Sequence, residues 1–179
     1  MKKVFMYASV VVIASLGFSN ASAQEGSNYK SGIGVRLGAG YYDFVSASYK
    51  TFITTPGALE LNLGFRPHTY YYYNSGYNQF HLSFSAAYQH HFPIKPVEGL
   101  QWFVGGGLIA YNTFSSNEDY KGFGLGLFPT GGADYKFANI PLNVSVDFRP
   151  TIALVKPDYY YYSSFTANNV GISARYTFR

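Results

Sequence analysis

The sequence predicts an all-β protein, an eight-stranded antiparallel up-and-down transmembrane β-barrel. Three observations predict it. First, apolar and polar residues alternate along nearly the whole chain. The alternation is cleanest at the end, where Val170, Ile172, Ala174, Tyr176 and Phe178 share one face and Gly171, Ser173, Arg175 and Thr177 the other. A strand sends successive side chains to opposite faces, so a period of two means a strand with one apolar and one polar side. Second, eight such segments can be read, and most reach the 9–11 residues that a tilted membrane strand requires. Eight is an even number, as in single-chain bacterial barrels. Third, an export leader precedes them. Lys2 and Lys3 form a positive start, Val10–Leu16 an apolar core, and Ala21-Ser22-Ala23 a small-residue cleavage site. Residues 1–23 are therefore expected to be a signal peptide, and residues 24–179 an outer-membrane β-barrel domain.

The first strand is expected at about Ser31–Tyr41, with Ile33, Val35, Leu37 and Ala39 opposite Gly34, Arg36, Gly38 and Gly40. The second spans about Phe44–Ile53, and Thr54-Thr55-Pro56-Gly57 is a turn signal. The third, Ala58–Pro67, sets Leu59, Leu61, Leu63 and Phe65 against Glu60, Asn62, Gly64 and Arg66. A polar, tyrosine-rich loop is expected at His68–Asn78. The fourth strand is Gln79–Phe92, closed by a proline-rich turn from Pro93 to Gly99. The fifth, Leu100–Asn112, has ambiguous parity, because Trp102, Val104 and Leu108 compete with Phe103, Ile109 and Tyr111. Ser115–Lys121 reads as a loop and Gly122–Phe137 as the sixth strand, with Pro129 marking a bulge or the exit from the bilayer. After the Asn139-Ile140-Pro141 turn comes the seventh, Leu142–Val155, then a second tyrosine-rich loop at Lys156–Asn168 and the C-terminal strand. No comparable helical period follows residue 23. With both termini on the periplasmic side, short turns fall inside and the long polar loops outside, the arrangement of outer-membrane barrels.

Composition fits this reading. The chain is 20% aromatic and 12% charged, with 19 Gly and 19 Tyr, whereas soluble domains average about 25% charged residues. There is no cysteine, so neither a disulfide framework nor a thiolate metal site is available. Taking Lys2 and Lys3 from the 13 basic residues leaves 11 against 9 acidic ones, with no basic run, so nucleic acid is not an expected partner.

Nine charged residues share the polar face: Arg36, Lys50, Glu60, Arg66, Asp134, Lys136, Asp147, Arg149 and Arg175. If the apolar face meets lipid, these fill the lumen as a charge network, since eight strands leave an interior only wide enough for side chains. Six are positive and three negative, so pairing among them alone is incomplete. If the barrel were soluble, the same residues would lie in water around an apolar core.

A leader, eight strands and an aromatic-rich final strand resemble small outer-membrane barrels of the OmpA transmembrane-domain and OmpX kind. The resemblance covers about Ser31–Arg179 and is architectural. It implies outer-membrane lipids as surroundings, the barrel-assembly machinery as partner during insertion, and a monomer. That machinery reads a terminal aromatic; here Phe178 is penultimate and Arg179 last. His81-Leu82-Ser83 is similar to the His-x-Ser pair of lipid A deacylase barrels, in which a carboxylate orients the histidine. Such a serine needs its base within hydrogen-bond reach and access to lipid, but parity places both residues with the lumen set and no carboxylate falls beside them. His90 and His91 point to opposite faces of a strand and cannot share a metal ion. Asp134 and Asp147 could pair as carboxylates, but Lys136 and Arg149 nearby favour a charge network. No cofactor or metal is expected.

The most distinctive surface feature is two tyrosine runs, Tyr70, Tyr71, Tyr72 and Tyr73, and Tyr159, Tyr160, Tyr161 and Tyr162. Tyrosine favours the membrane–water boundary and makes contact surfaces of low entropic cost. The expected function is non-enzymatic, either envelope structure or surface interaction with an extracellular protein or glycan through these loops. The alternatives are a narrow pore, a lipid-modifying enzyme, or a soluble barrel with a ligand inside.

Overall fold

The computed structural model describes residues 29–72, 75–116, 121–157 and 163–178, with only the backbone for 69–72 and 75–77. The expected leader, Tyr73 and the run Tyr159–Tyr162 lie outside the described residues.

The chain forms a closed eight-stranded antiparallel barrel, with no helix among the described residues. In chain order the strands are β1 (Ser31–Gly38), β2 (Val45–Phe52), β3 (Gly57–Tyr72), β4 (Ser75–Pro93), β5 (Leu100–Ser115), β6 (Gly122–Lys136), β7 (Leu142–Phe148), β8 (Thr151–Val155), β9 (Phe165–Thr166) and β10 (Val170–Phe178). β1 to β6 each pair with the next strand in the chain, β6 also pairs with β8 and β8 with β9, and β10 pairs with β7 and with β1 to close the wall. β7 and β8 are one stave interrupted at Arg149-Pro150, because both pair with β6 in the same register, Gly131 with Phe148 and Leu127 with Ile152. β9 pairs with β8 and β10 with β7, so they share the eighth stave.

The stagger follows from the ladders. Starting at Leu142, partners run through Tyr176, Ile33, Tyr49, Leu61, Ala86, Leu108 and Leu127 and return to the same stave at Ile152, ten residues from the start. With a spacing of about 4.8 Å and a rise of about 3.3 Å per residue, that shear tilts the strands by about 40° and gives a backbone radius of roughly 8 Å. The centre is therefore filled by side chains.

The structure corrects several boundaries. The His68–Asn78 loop is largely strand, because β3 continues to Tyr72 and pairs Tyr70 with Tyr77 and Tyr72 with Ser75. Tyr and Thr favour extended backbone, so a polar, tyrosine-rich stretch need not be a loop. β1 and β2 stop at Gly38 and Val45, so the β3–β6 side of the wall stands taller. The expected bulge at Pro129 is absent from the β5–β6 ladder, which runs unbroken through Gly106↔Pro129. The register shift lies instead where Leu125 and Gly126 meet β8. β5 resolves its ambiguity by being apolar on both sides. Trp102, Val104 and Leu108 face outward, whereas Phe103, Ile109 and Tyr111 are buried inside. At the short turns the register is fixed locally. Gly99 sits at φ 82°, a left-handed conformation, and a Cβ there would collide with the Lys136 carbonyl that β5 must pass.

Candidate functional site

The barrel interior holds a continuous set of ion pairs. Arg36, from β1, is fully buried. Its Nε donates to Asp147 Oδ2 at 3.0 Å and its Nη2 to Asp147 Oδ1 at 2.7 Å, while Nη1 donates to Asp43 Oδ2 at 2.8 Å. Asp147 also lies 2.7 Å from Arg149 Nε. Arg149 reaches across the lumen and donates from Nη2 to Glu60 Oε1 at 2.6 Å. Arg175 Nη2 approaches the same oxygen at 3.0 Å. The other Glu60 oxygen accepts from Gln89 Nε2 at 2.7 Å, and Asn62 Nδ2 donates to Oε1 at 3.0 Å.

Arg175 is also held by Ser48 Oγ at 2.9 Å and Ser145 Oγ at 2.8 Å. Asn143 links it to the next pair, accepting from Arg175 Nη1 at 3.4 Å and donating to Asp134 Oδ1 at 2.6 Å. Asp134 in turn accepts from Lys50 Nζ at 2.5 Å. Each of these carboxylates meets at least one cation, and buried charges are tolerated only when paired.

Of the nine charged residues singled out by parity, Arg36, Lys50, Glu60, Asp134, Asp147, Arg149 and Arg175 meet in this network. Arg66 and Lys136 stand apart. Arg66 donates to the Gly40 carbonyl at the rim, and Lys136 Nζ donates to the Phe137 and Ile140 carbonyls of the opposite turn, the latter at 2.9 Å. Asp43, which the alternation did not reveal, joins instead. The result is four cations, Arg36, Lys50, Arg149 and Arg175, against four anions, Asp43, Glu60, Asp134 and Asp147. The network carries no net charge.

Asp43 reaches the network because the β1–β2 connection folds inward rather than outward. Tyr42 is wholly buried, its ring 4.9 Å from Tyr111 and its hydroxyl 3.4 Å from Thr166 Oγ1. Asp43 also accepts from Ser46 Oγ at 2.7 Å. Tyr42, Ala87, Ile109, Tyr111 and Phe128 form an apolar cluster. Tyr29, Phe52 and Ala58 form a second. Phe52 and Phe103 flank the ring of His91 at 5.1 and 5.2 Å. The interior is thus both ionic and aromatic.

Glycines make room for these large groups. A Cβ at Gly171 would clash with the Arg36 guanidinium, and one at Gly124 with the Tyr111 ring. Gly171→Ala is expected to cost about 1–2 kcal/mol, since overpacking displaces a guanidinium held by two carboxylates. The urea midpoint of the refolded variant measures it, and an unchanged midpoint would show that Arg36 is free to move.

The outer wall is the reverse of a soluble protein's. Ile33 is 57% exposed, Leu63 55% and Ile172 56%, and they belong to a band of exposed aliphatic residues around the barrel. Aromatic residues border the band at both ends. Phe80 stacks on Phe114 at 4.6 Å and sits 5.8 Å from Phe65 at one end, and Phe92 stacks on Trp102 at 4.4 Å at the other. On β4 the belts are separated by the twelve residues from Phe80 to Phe92, and on β5 by the twelve from Trp102 to Phe114. At the tilt derived above, that is roughly 30 Å along the axis.

The remaining candidates are dispersed. His81 Nδ1 lies 2.9 Å from Thr113 Oγ1, and Ser83 is buried on the same inward face. His91 faces inward, whereas His90 lies 3.3 Å from the Tyr88 hydroxyl on the outer side. Among the described residues no three His, Asp or Glu side chains are grouped to hold a metal ion. Tyr70, Tyr71 and Tyr72 end β3, while the other five run tyrosines lie outside the described residues. What fold and interior define together is a closed eight-stranded barrel with an ion-paired centre and an apolar exterior. No protein-family model matches the chain, and no curated protein matches it.

Proposed function

We propose that this chain is a non-enzymatic outer-membrane barrel of the OmpA transmembrane-domain and OmpX kind, serving envelope structure or surface interaction. The observation that carries the reading is the wall: a largely aliphatic, apolar band bordered by stacked aromatic pairs about 30 Å apart, matching the hydrocarbon thickness of a bilayer. In water such a continuous apolar surface would drive aggregation. Against lipid it is the solvated face, and the charged groups are satisfied among themselves. Outer-membrane lipids are the surroundings, and the barrel-assembly machinery is the partner during insertion. The tyrosine runs at Tyr70–Tyr73 and Tyr159–Tyr162 are the surface offered to an extracellular protein or glycan. A filled, charge-neutral lumen favours a structural role over a pore, and the pairing of His81 with Thr113 favours it over a serine hydrolase.

Fractionation of expressing cells tests the reading. The protein is expected in the outer-membrane fraction, resistant to alkaline carbonate and released only by detergent. Recovery as a dispersed soluble protein without detergent would overturn it.

A further inference from the structure

The wall has a seam between β6 and the stave formed by β7 and β8. Between the pairs Gly131↔Phe148 and Leu127↔Ile152 the register continues unchanged, yet no ladder pair links Phe128–Thr130 to Arg149–Thr151 among the described residues. The shared register sets Pro129 opposite Pro150. Neither proline has an N–H, so the position cannot close by a hydrogen-bonded pair. The Arg149 N–H turns away to the Asn169 carbonyl at 2.8 Å, and Thr151 pairs with Thr166 on the far stave. The far side of the same stave is also interrupted, where Ala167–Asn169 lie between β9 and β10 and the register changes from Val170↔Phe148 to Thr151↔Thr166; an unpaired backbone is costly in lipid.

Behind the seam lies an apolar part of the interior. Thr130 is 4% exposed and points inward, and its hydroxyl has no hydrogen-bond partner. Phe128, on the same edge, belongs to the apolar cluster with Tyr42, Ile109 and Tyr111, and the Arg149 guanidinium lies 5.5 Å from its ring centroid. The seam therefore separates the apolar wall from an apolar part of the interior, with Thr130 and Thr151 buried behind it. Tyr42, the residue that occupies its centre, comes from a connection between strands and not from the wall.

We propose that the Pro129/Pro150 seam is a lateral entry through which a hydrocarbon chain of the surrounding lipid reaches the Tyr42–Ile109–Tyr111–Phe128 compartment. The proposal rests on the outer-membrane reading. Tyr42 is the side chain that such a guest displaces. The two prolines hold the opening, since any other residue there could restore a ladder bond.

The chain has no cysteine, so single thiols report cleanly. Thr130→Cys and, across the seam, Thr151→Cys are placed in protein refolded into phosphatidylcholine vesicles. Each is treated with a maleimide carried on an acyl chain and, separately, with a quaternary-ammonium methanethiosulfonate. Ser173→Cys is the inward control, since Ser173 is fully buried and laddered on both sides to Arg36 and Ser145. The acyl reagent is expected to label the seam variants at least tenfold faster than the Ser173→Cys variant, with no such preference for the charged reagent. Adding Pro129→Val and Pro150→Val is expected to bring the seam rate down to the control. Equal rates at the seam and at position 173, a charged reagent that labels the seam as quickly as the acyl one, or a rate undiminished by the two valines would each overturn the proposal. Val35→Cys, on the outer face, separates this from failure of the underlying reading. Rapid labelling there by the charged reagent would mean that the wall is not in lipid at all.

Discussion

Replacing Glu60 with alanine is expected to destabilise the barrel by about 3–5 kcal/mol, the cost of removing one partner from a buried ion pair. Glu60 is the centre of the network. Arg149 and Arg175 both converge on its Oε1, at 2.6 and 3.0 Å, and Gln89 and Asn62 complete its shell. Without it, two buried guanidiniums face each other with no anion between them, and the four-against-four balance becomes four cations against three anions. Glu60→Leu combined with Arg149→Leu restores neutrality at three of each sign. That pair is expected to recover part of the loss, because a buried ion pair replaced as a unit by apolar groups is often tolerated. Urea unfolding in lipid vesicles, followed by the fluorescence of Trp102, the chain's single tryptophan, measures both variants. A Glu60→Ala shift below about 0.5 kcal/mol, the usual scale for an indifferent surface site, would show that the network contributes nothing to folding.

The period of two was enough to read the strands, because a sheet with unlike faces writes its period directly into the sequence. It also assigned seven of the eight network charges to the interior. It could not assign height. Arg66 and Lys136 have the same parity as Glu60 and Asp134, yet they reach the rim and the opposite turn, where backbone carbonyls hold them. Axial position depends on the shear, and shear is a property of all eight ladders together. Asp43 was invisible for another reason. It lies in a connection, where alternation stops, and it enters the lumen only because the Tyr41–Tyr42 pair folds inward. Its signal was indirect: a six-to-three imbalance that a sealed interior could not sustain. The fifth strand was read, but its parity was illegible because its inward face is also apolar, so both parities look like a wall.

Ile172→Arg is expected to cost about 2–4 kcal/mol, the penalty for a cation on the lipid face of a barrel near the bilayer midplane. Ile172 is 56% exposed on β10, between Leu37 and Val146 on the neighbouring staves. It lies six residues from the aromatic edge at Phe178. Phe178→Arg, at that edge, is expected to cost only about 0–1 kcal/mol, since the penalty falls toward the interface. The contrast matters more than either value. For a barrel in water, an exposed isoleucine exchanged for arginine is a surface change within about 0.5 kcal/mol of neutral, with no dependence on height. Here the two substitutions sit on the same face of one strand and differ only in depth. Neighbouring Ser173 faces the lumen beside Arg36, so an arginine at 172 cannot be rescued by turning inward without breaking the β10 ladders. Equilibrium unfolding of both variants in the same vesicles gives the comparison. Equal and small shifts at Ile172 and Phe178 would remove the bilayer from the explanation of this wall.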